Sequence, residues 1–267
     1  MVIAGGLTFV LIVGGLDLSM GGVLALAGVC TWELTQHGVS VPLTIAIVTL
    51  AGFVVGALTN GLLIARIGLS FLVVTLGTGG AFAALALLLT EGQTESLLDV
   101  ESLLTIGTGS VGPLPWIVVI SIGLLVASAF VLRYTGFGRM IYATGGNQEA
   151  ARLAGINVVL VRTVVYGIAA GFAAIAGVLQ AAHLASANPQ AGQLIVLEAT
   201  AAVLIGGTSF IGGSGTMLGT FLGVLFLGVL SNGLTRLDIS AYWNGFITGA
   251  VLIFALLIDR LRFRRIG

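Results

Sequence analysis

The sequence contains no lysine; all ten of its basic residues are arginine. A Walker A loop needs a lysine to reach the nucleotide phosphates, so P-loop ATP hydrolysis within this chain is excluded. A single cysteine, Cys30, excludes an internal disulfide and reads as a small apolar filler. Charge is scarce, at 7% of residues, where soluble domains carry about 25%. Net charge is zero, so no polyanionic partner is implied, and there is no nucleic-acid patch. The two histidines, His37 and His183, lack metal-ligand company. No nucleophile–base set, metal cluster or cofactor motif is present, which argues against an enzyme.

What is abundant is apolar length. The chain is 58% hydrophobic over 267 residues, with a mean hydropathy of +1.17. Runs of about 20 apolar residues identify an all-α fold, a polytopic transmembrane helical bundle embedded in lipid. The 41 glycines suit helices that pack backbone to backbone. Nine apolar segments can be marked: 2–16, 20–32, 41–65, 71–90, 114–132, 163–182, 194–210, 215–231 and 242–258. Segments 2–16, 20–32 and 194–210 are short for a full crossing, so broken or short Gly-rich helices are expected.

Arginine gives the orientation. Arg66, Arg133, Arg139, Arg152, Arg162, Arg260, Arg262, Arg264 and Arg265 fall on one side of this arrangement, and only Arg236 on the other. The arginine side, with the C-terminus, is therefore expected to be cytoplasmic. The 91–113 loop then lies outside, carrying Glu91, Glu95, Asp99 and Glu101 without a basic residue. Trp32, Trp116, Tyr242 and Trp243 fall at outer segment ends as interfacial anchors. Counting back through nine segments puts Met1 outside, which implies a further helix before it. The start lacks the basic leader of a signal peptide.

Two Gly-rich polar elbows interrupt apolar runs. In "GGLDLSMGG" (14–22), an aspartate sits at membrane depth, where carboxylates are costly. Broken backbone there must be buried in protein or line a watered cavity. Asp17, helped by Ser19, is expected to cap the freed amides that begin 20–32; both can also line a solute path. The second elbow, "GGTSFIGGSG" (206–215), offers Thr208, Ser209 and Ser214. Aligning Gly14-Gly15 with Gly206-Gly207, an offset of 192, suggests an internal repeat with parallel halves.

The longest loop on the arginine side is "RYTGFGRMIYATGGNQEAARLAGINVVLVR" (133–162). Asn147 is a plausible N-cap, Glu149 suits the positive helix end and pairs with Arg152 at i,i+3, and Gly155 supplies the C′ residue. Ala150, Ala151, Leu153 and Ala154 favour helix. The spacing predicts a two-turn helix with a small-residue face, standing outside the bilayer as a docking protrusion. "GTGSVG" (107–112) matches G-x-G-x-x-G but runs into Pro113 without a βαβ unit, so it is chance. Glu198 reads as support for a helix start. Gly52/Gly56, Gly167/Gly171 and Gly219/Gly223 mark tight helix contacts.

The stretches "GGLDLSMGGVLALAGV", "GRMIYATGGNQEAARLAGINV", "ANPQAGQ", "EATAAVLIGGTSFIGGSGTMLGTFLGVLFLGVLSNGL" and "YWNGFITGAVLIFALLID" resemble, in order along nearly the whole chain, the ribose-type sugar permeases of bacterial ABC importers. The resemblance implies a single permease domain over 1–267 in the bacterial plasma (inner) membrane. It implies a second permease subunit, the same or similar, and a separate cytoplasmic ATP-binding subunit. A periplasmic or lipid-anchored sugar-binding protein would deliver the solute. Segment 145–157 would seat in the ATPase through Asn147, Gln148, Glu149, Ala150, Ala151, Arg152 and Gly155. The solute would be a monosaccharide such as ribose, passing Asp17, Ser19, Thr208, Ser209 and Ser214. A nucleoside, branched-chain amino acid or signalling molecule is the alternative. The docking loop argues against a stand-alone secondary transporter. An intramembrane enzyme would need paired polar groups at one depth, and only Asp17 is clearly intramembrane.

Overall fold

The first helix has no exposed face. In the computed structural model, every residue of α1 (Val2–Ile12) is buried. Its 11 residues span about 16 Å, half of a hydrocarbon core about 30 Å thick. A helix that is apolar all round and too short to cross belongs inside a bundle. The structure describes residues 1–192 and 194–237, together with 243, 245–247, 249, 250 and 253.

Elements follow in chain order. Helix α2 is Met20–Gln36. Helix α3 (Val41–Gly56), a π turn (Ala57–Gly61) and α4 (Leu62–Ala65) make one continuous span. Helix α5 is Phe71–Leu89. A cap region then holds β1 (Glu95–Ser96), α6 (Glu101–Thr108), β2 (Ser110–Val111) and β3 (Leu114–Pro115). Helix α7 is Trp116–Tyr134, followed by α8 (Gly136–Gly146) and α9 (Gln148–Leu153). The longest helix among the described residues, α10, is Val158–Leu184. Strand β4 (Ser186–Ala187), α11 (Ile195–Ile205) and α12 (Met217–Arg236) complete the described fold. The sheets are two-stranded: β1 pairs antiparallel with β4, and β2 with β3.

Among the described residues, five helices are long and apolar enough to cross a membrane: Val41–Ala65, Phe71–Leu89, Trp116–Tyr134, Val158–Leu184 and Met217–Arg236. Segment 41–65 spans the range expected. Four others run past their expected bounds, 114–132 among them, which continues to Tyr134. The expected 163–182 begins at Val158, because the Asn157 side chain accepts from the Leu160 amide at 3.0 Å and starts the helix there. Segment 20–32 continues to Gln36 and 215–231 to Arg236. Segment 2–16 stops early, at Ile12, and gives way to the elbow. Helix α8 was not legible as a helix, its glycines being poor helix formers; Thr135 starts it by accepting from the Gly138 amide. Segment 242–258 and Arg260, Arg262, Arg264 and Arg265 lie outside the described residues, apart from isolated positions in the segment.

Helix α10 is the axis of the bundle. It is 56% buried across its most apolar window, against 17–22% for the other four spans. Its inner face is small: Gly167, Ala169, Ala170, Gly171, Ala173, Ala174 and Gly177 are all buried. A Cβ on Gly52 would come within 2.7 Å of the Ala174 Cβ, and one on Gly167 within 3.0 Å of the Phe53 carbonyl. A Cβ on Gly223 would meet the Ala202 carbonyl. The three glycine pairs marked in the sequence are therefore contact points between helices. Phe9 and Phe172 meet edge-on at 6.3 Å between α1 and α10. The cap region covers one end of α10, with Gly107 against the Ala182 carbonyl. Here "GTGSVG" contributes a packed glycine and the β2–β3 hairpin. The α8–α9 arm stands at the opposite end, where α10 begins.

Candidate junction of the two elbows and the α8–α9 arm

The first elbow begins where α1 runs out of helix. The Gly14 amide donates to Leu11 O at 3.0 Å and the Gly15 amide to Val10 O at 2.9 Å, with Gly14 at φ +80°. This is a helix stop that favours glycine. The second elbow repeats it. The Gly207 amide donates to Leu204 O at 2.9 Å and the Thr208 amide to Val203 O at 3.2 Å, with Gly207 at φ +87°. These bonds, like Val2–Ile12 and Ile195–Ile205, superpose at an offset of 193. Glycine pairs alone align one residue away; the helix-ending bonds set the register. The second elbow (206–216) is longer than the first (13–19) and ends at Thr216, which accepts from the Gly219 amide at 3.0 Å.

Asp17 is fully buried. It does not occupy the N-cap of α2, which is Ser19, and Ser19 makes no side-chain cap bond. The Asp17 carboxylate instead accepts from the Ser19 amide at 2.9 Å and from the Ser19 hydroxyl. This local Asx turn stabilises the bend before the helix rather than capping the helix itself. The Asn60 amide then donates to Asp17 Oδ1 at 3.2 Å and to Ser19 Oγ at 2.7 Å. Asn60 Oδ1 accepts from the Thr78 hydroxyl at 2.7 Å. Asn60 lies in the π turn, so the irregular winding of the third span sits directly against the first elbow. Asn60 and Thr78 were missed from the sequence. Their signal was available: a lone amide in an apolar span must find a partner.

Thr208 and Ser209 are buried, and Ser214 is exposed. The Ser209 amide donates to Ser214 O at 3.0 Å, and Ser209 Oγ accepts from the Ile211 amide at 3.2 Å, which folds the loop on itself. The Thr208 hydroxyl has no hydrogen-bond partner. The hydrogen bonds of Asp17 and Ser19 run to each other and to Asn60. What brings the elbows together is backbone. The Gly213 amide donates to Ile12 O at 2.8 Å. A Cβ on Gly212 would lie 2.9 Å from Gly14 Cα. Higher up, the Thr8 and Thr220 hydroxyls bond at 2.6 Å between α1 and α12.

The arm reaches the same place. A Cβ on Gly145 would run into the Ile12 carbonyl oxygen, and one on Gly213 would lie 2.9 Å from Gly146 Cα. The Tyr142 hydroxyl donates to Gly215 O at 2.7 Å. Beyond this contact α9 projects as a short polar helix. Asn147 Oδ1 accepts from the Ala150 amide at 3.0 Å, and Gly155 sits at φ +84°, so both ends form as the sequence indicates. Glu149 and Arg152 approach to 3.7 Å. Asn147, Gln148, Glu149, Ala150, Arg152 and Gly155 are exposed, but Ala151 is buried and holds α9 against the bundle. Leu153, treated in the sequence as a helix former only, is 82% exposed. A large apolar side chain on a small polar protrusion is a contact candidate.

Elsewhere, a cavity of about 730 Å³ lies between α1, α7, α10, α11 and α12. His183 and Glu198 line it with Gln180, Ser121 and Ser231, within largely apolar walls. His183 also bonds the Gly107 carbonyl at 3.3 Å.

Over residues 1–256 the chain matches the family described as branched-chain amino acid transport system / permease component. It is 36% identical over 264 residues to the ribose import permease protein RbsC of Haemophilus influenzae, covering 97% of this chain and 80% of that one. It is 37% identical over 259 residues to the ribose import permease protein RbsC of Bacillus subtilis, covering 97% and 80%. It is 34% identical over 265 residues to the autoinducer 2 import system permease protein LsrC of Photorhabdus luminescens, covering 98% and 79%. No solved structure matches it. A helical bundle of apolar spans, broken by paired glycine elbows and matched across nearly its whole length, makes this chain a member of the branched-chain amino acid transport system permease-component family.

Proposed function

We propose that the chain is the permease subunit of an ABC importer and forms the path for a monosaccharide such as ribose or a related sugar. Two relatives are ribose import permeases at 36% and 37% identity. The carrying observation is geometric: the exposed helix α9 stands on an arm whose base touches both elbows. A docked partner gripping α9 therefore has direct mechanical access to the membrane interior. The partner is a separate cytoplasmic ATP-binding subunit, since the chain has no lysine for a P-loop.

The chain works as one permease domain over 1–267, with its C-terminus and α9 facing the cytoplasm, as the arginine distribution favours. It pairs with a second permease subunit, and a periplasmic or lipid-anchored binding protein supplies solute and specificity. The path runs along the elbows. Asp17 and Ser19 fix the shape of its wall through Asn60. Ser214 offers an exposed hydroxyl that exchanges water for a polyol at little net cost, and Thr208 and Ser209 lie buried behind it and shape the wall of the path. The 34% relative that imports autoinducer 2 favours one second reading, a small signalling molecule.

The test is uptake of radiolabelled D-ribose by cells expressing this chain with its neighbouring genes, together with recovery of an ATP-binding subunit on the purified chain. Ribose uptake and co-purification are expected. Recovery of the chain without any ATP-binding partner, from membranes active in uptake, overturns the reading.

A further inference from the structure

A docking arm need touch only the nearest membrane helix. Here it meets the end of α1 and the loop of the second elbow at one point. The Ile12 carbonyl receives the Gly213 amide at 2.8 Å and lies against Gly145. Gly212 would carry any Cβ to within 2.9 Å of both Gly14 Cα and the Gly145 carbonyl. Gly212 and Gly213 have φ of +106° and +73°, so a side chain there would be strained as well as crowded. No side chain separates the three backbones. Close-packed matter of this kind transmits a displacement, because no rotamer can change to absorb it.

We infer that this glycine contact is the transmission joint of the transporter, in which the arm and both elbows are displaced together, and that Tyr142 is its positioning residue. The inference rests on the proposed docking of an ATP-binding subunit on α9. Tyr142 is half-buried and spans the joint, its hydroxyl donating to Gly215 O at 2.7 Å. The Thr8–Thr220 bond ties the two halves again on the membrane side of the joint. Helix α1 is buried on every face, so its end shifts only together with what encloses it. An arm fixed to both elbows moves both halves of the repeat in one stroke. An arm fixed to one elbow would open the path on one side only.

The test uses the chain in complex with its ATP-binding subunit. Cys30→Ser removes the native thiol, and Ile211→Cys places a reporter on the second elbow, where Ile211 is 60% exposed. Maleimide labelling at position 211 is timed with and without ATP. The parent complex is expected to label at rates that differ several-fold between the two conditions. Tyr142→Phe keeps the ring and removes one hydroxyl; it is expected to retain the ATP-binding subunit and lose the nucleotide effect. A bond that merely stabilised the fold would lower the unfolding temperature and leave the ratio of the two rates untouched. Gly145→Ala is expected to lose the ratio as well, and where it fails to fold Tyr142→Phe decides. A full nucleotide effect in Tyr142→Phe overturns the joint, as does a parent complex that holds the subunit but shows no effect. Absence of the subunit from the parent complex overturns the docking reading instead.

Discussion

Asn60 donates its side-chain amide to the Asp17 carboxylate at 3.2 Å, linking the π turn of the third span to the first elbow. Both residues are fully buried. The Asn60–Ser19 bond, at 2.7 Å, is shorter still. An isolated carboxylate in such a place would be costly, and this one has partners on two elements.

Asn60→Ala is therefore expected to leave Asp17 and Ser19 short of a donor and to destabilise the chain by about 1–3 kcal/mol. Thermal unfolding in detergent measures this. Asp17→Asn keeps an acceptor for the Ser19 amide and removes the charge; Asp17→Ala removes both. Solute uptake is expected to survive in the first and fail in the second. Loss of uptake in Asp17→Asn, at an unchanged unfolding temperature, would assign the charge itself to the path.

Tyr166 carries the opposite expectation. It is fully buried on α10, and its hydroxyl lies near the Arg162 side chain without a hydrogen bond of good geometry. A buried polar atom without a good hydrogen bond lowers stability, so Tyr166→Phe is expected to be neutral or to raise the unfolding temperature. Tyr166→Ala removes the ring beside Gly15 and is expected to cost about 3–5 kcal/mol, the range for deleting a buried aromatic. A marked fall in stability for Tyr166→Phe would show that the hydroxyl is bonded in the working protein.

The α3–α10 contact yields a packing prediction. A Cβ on Gly56 would strike the Ala170 Cβ, while Leu50 on the same helix is 65% exposed. Gly56→Leu is expected to force the helices apart at about 1–3 kcal/mol or more, as overpacking does. Leu50→Ala, on the outer face, is expected to change little. Equal unfolding temperatures for the two variants would contradict the contact.

Much of this architecture was legible in the sequence because membranes demand long apolar runs. The 41–65 and 71–90 spans needed only hydropathy. The elbows were legible because their stops need positive φ, and Gly14 and Gly207 supply it. Helix ends were less so: Val158 starts α10 through the Asn157 cap, a bond that hydropathy does not see. Asp17 was legible as a polar anomaly but not in its role, because its partner Asn60 comes from another span. The meeting of Gly145 with Ile12 had no local signature at all. Glycine announces a close approach, and only the tertiary structure says to what.

Burial decides which residues of α9 can test docking. Ala151 is 3% exposed, so enlarging it would disrupt the seat of α9 and confuse misfolding with lost docking. Ala150 and Leu153 are exposed and suit the purpose. The Glu149–Arg152 pair is solvent-exposed at 3.7 Å, and such pairs contribute about 0–1 kcal/mol, so replacing it leaves the fold standing. Ala150→Trp, Leu153→Asp and the double change Glu149→Gln with Arg152→Gln are each expected to insert into membranes at parent levels. Each is expected to weaken recovery of the ATP-binding subunit and to abolish uptake, with Leu153→Asp the strongest because it replaces an apolar contact by a charge. Full recovery of that subunit on Ala150→Trp and Leu153→Asp combined would move the docking surface off α9, and the arm would then need another purpose for its contact with the elbows.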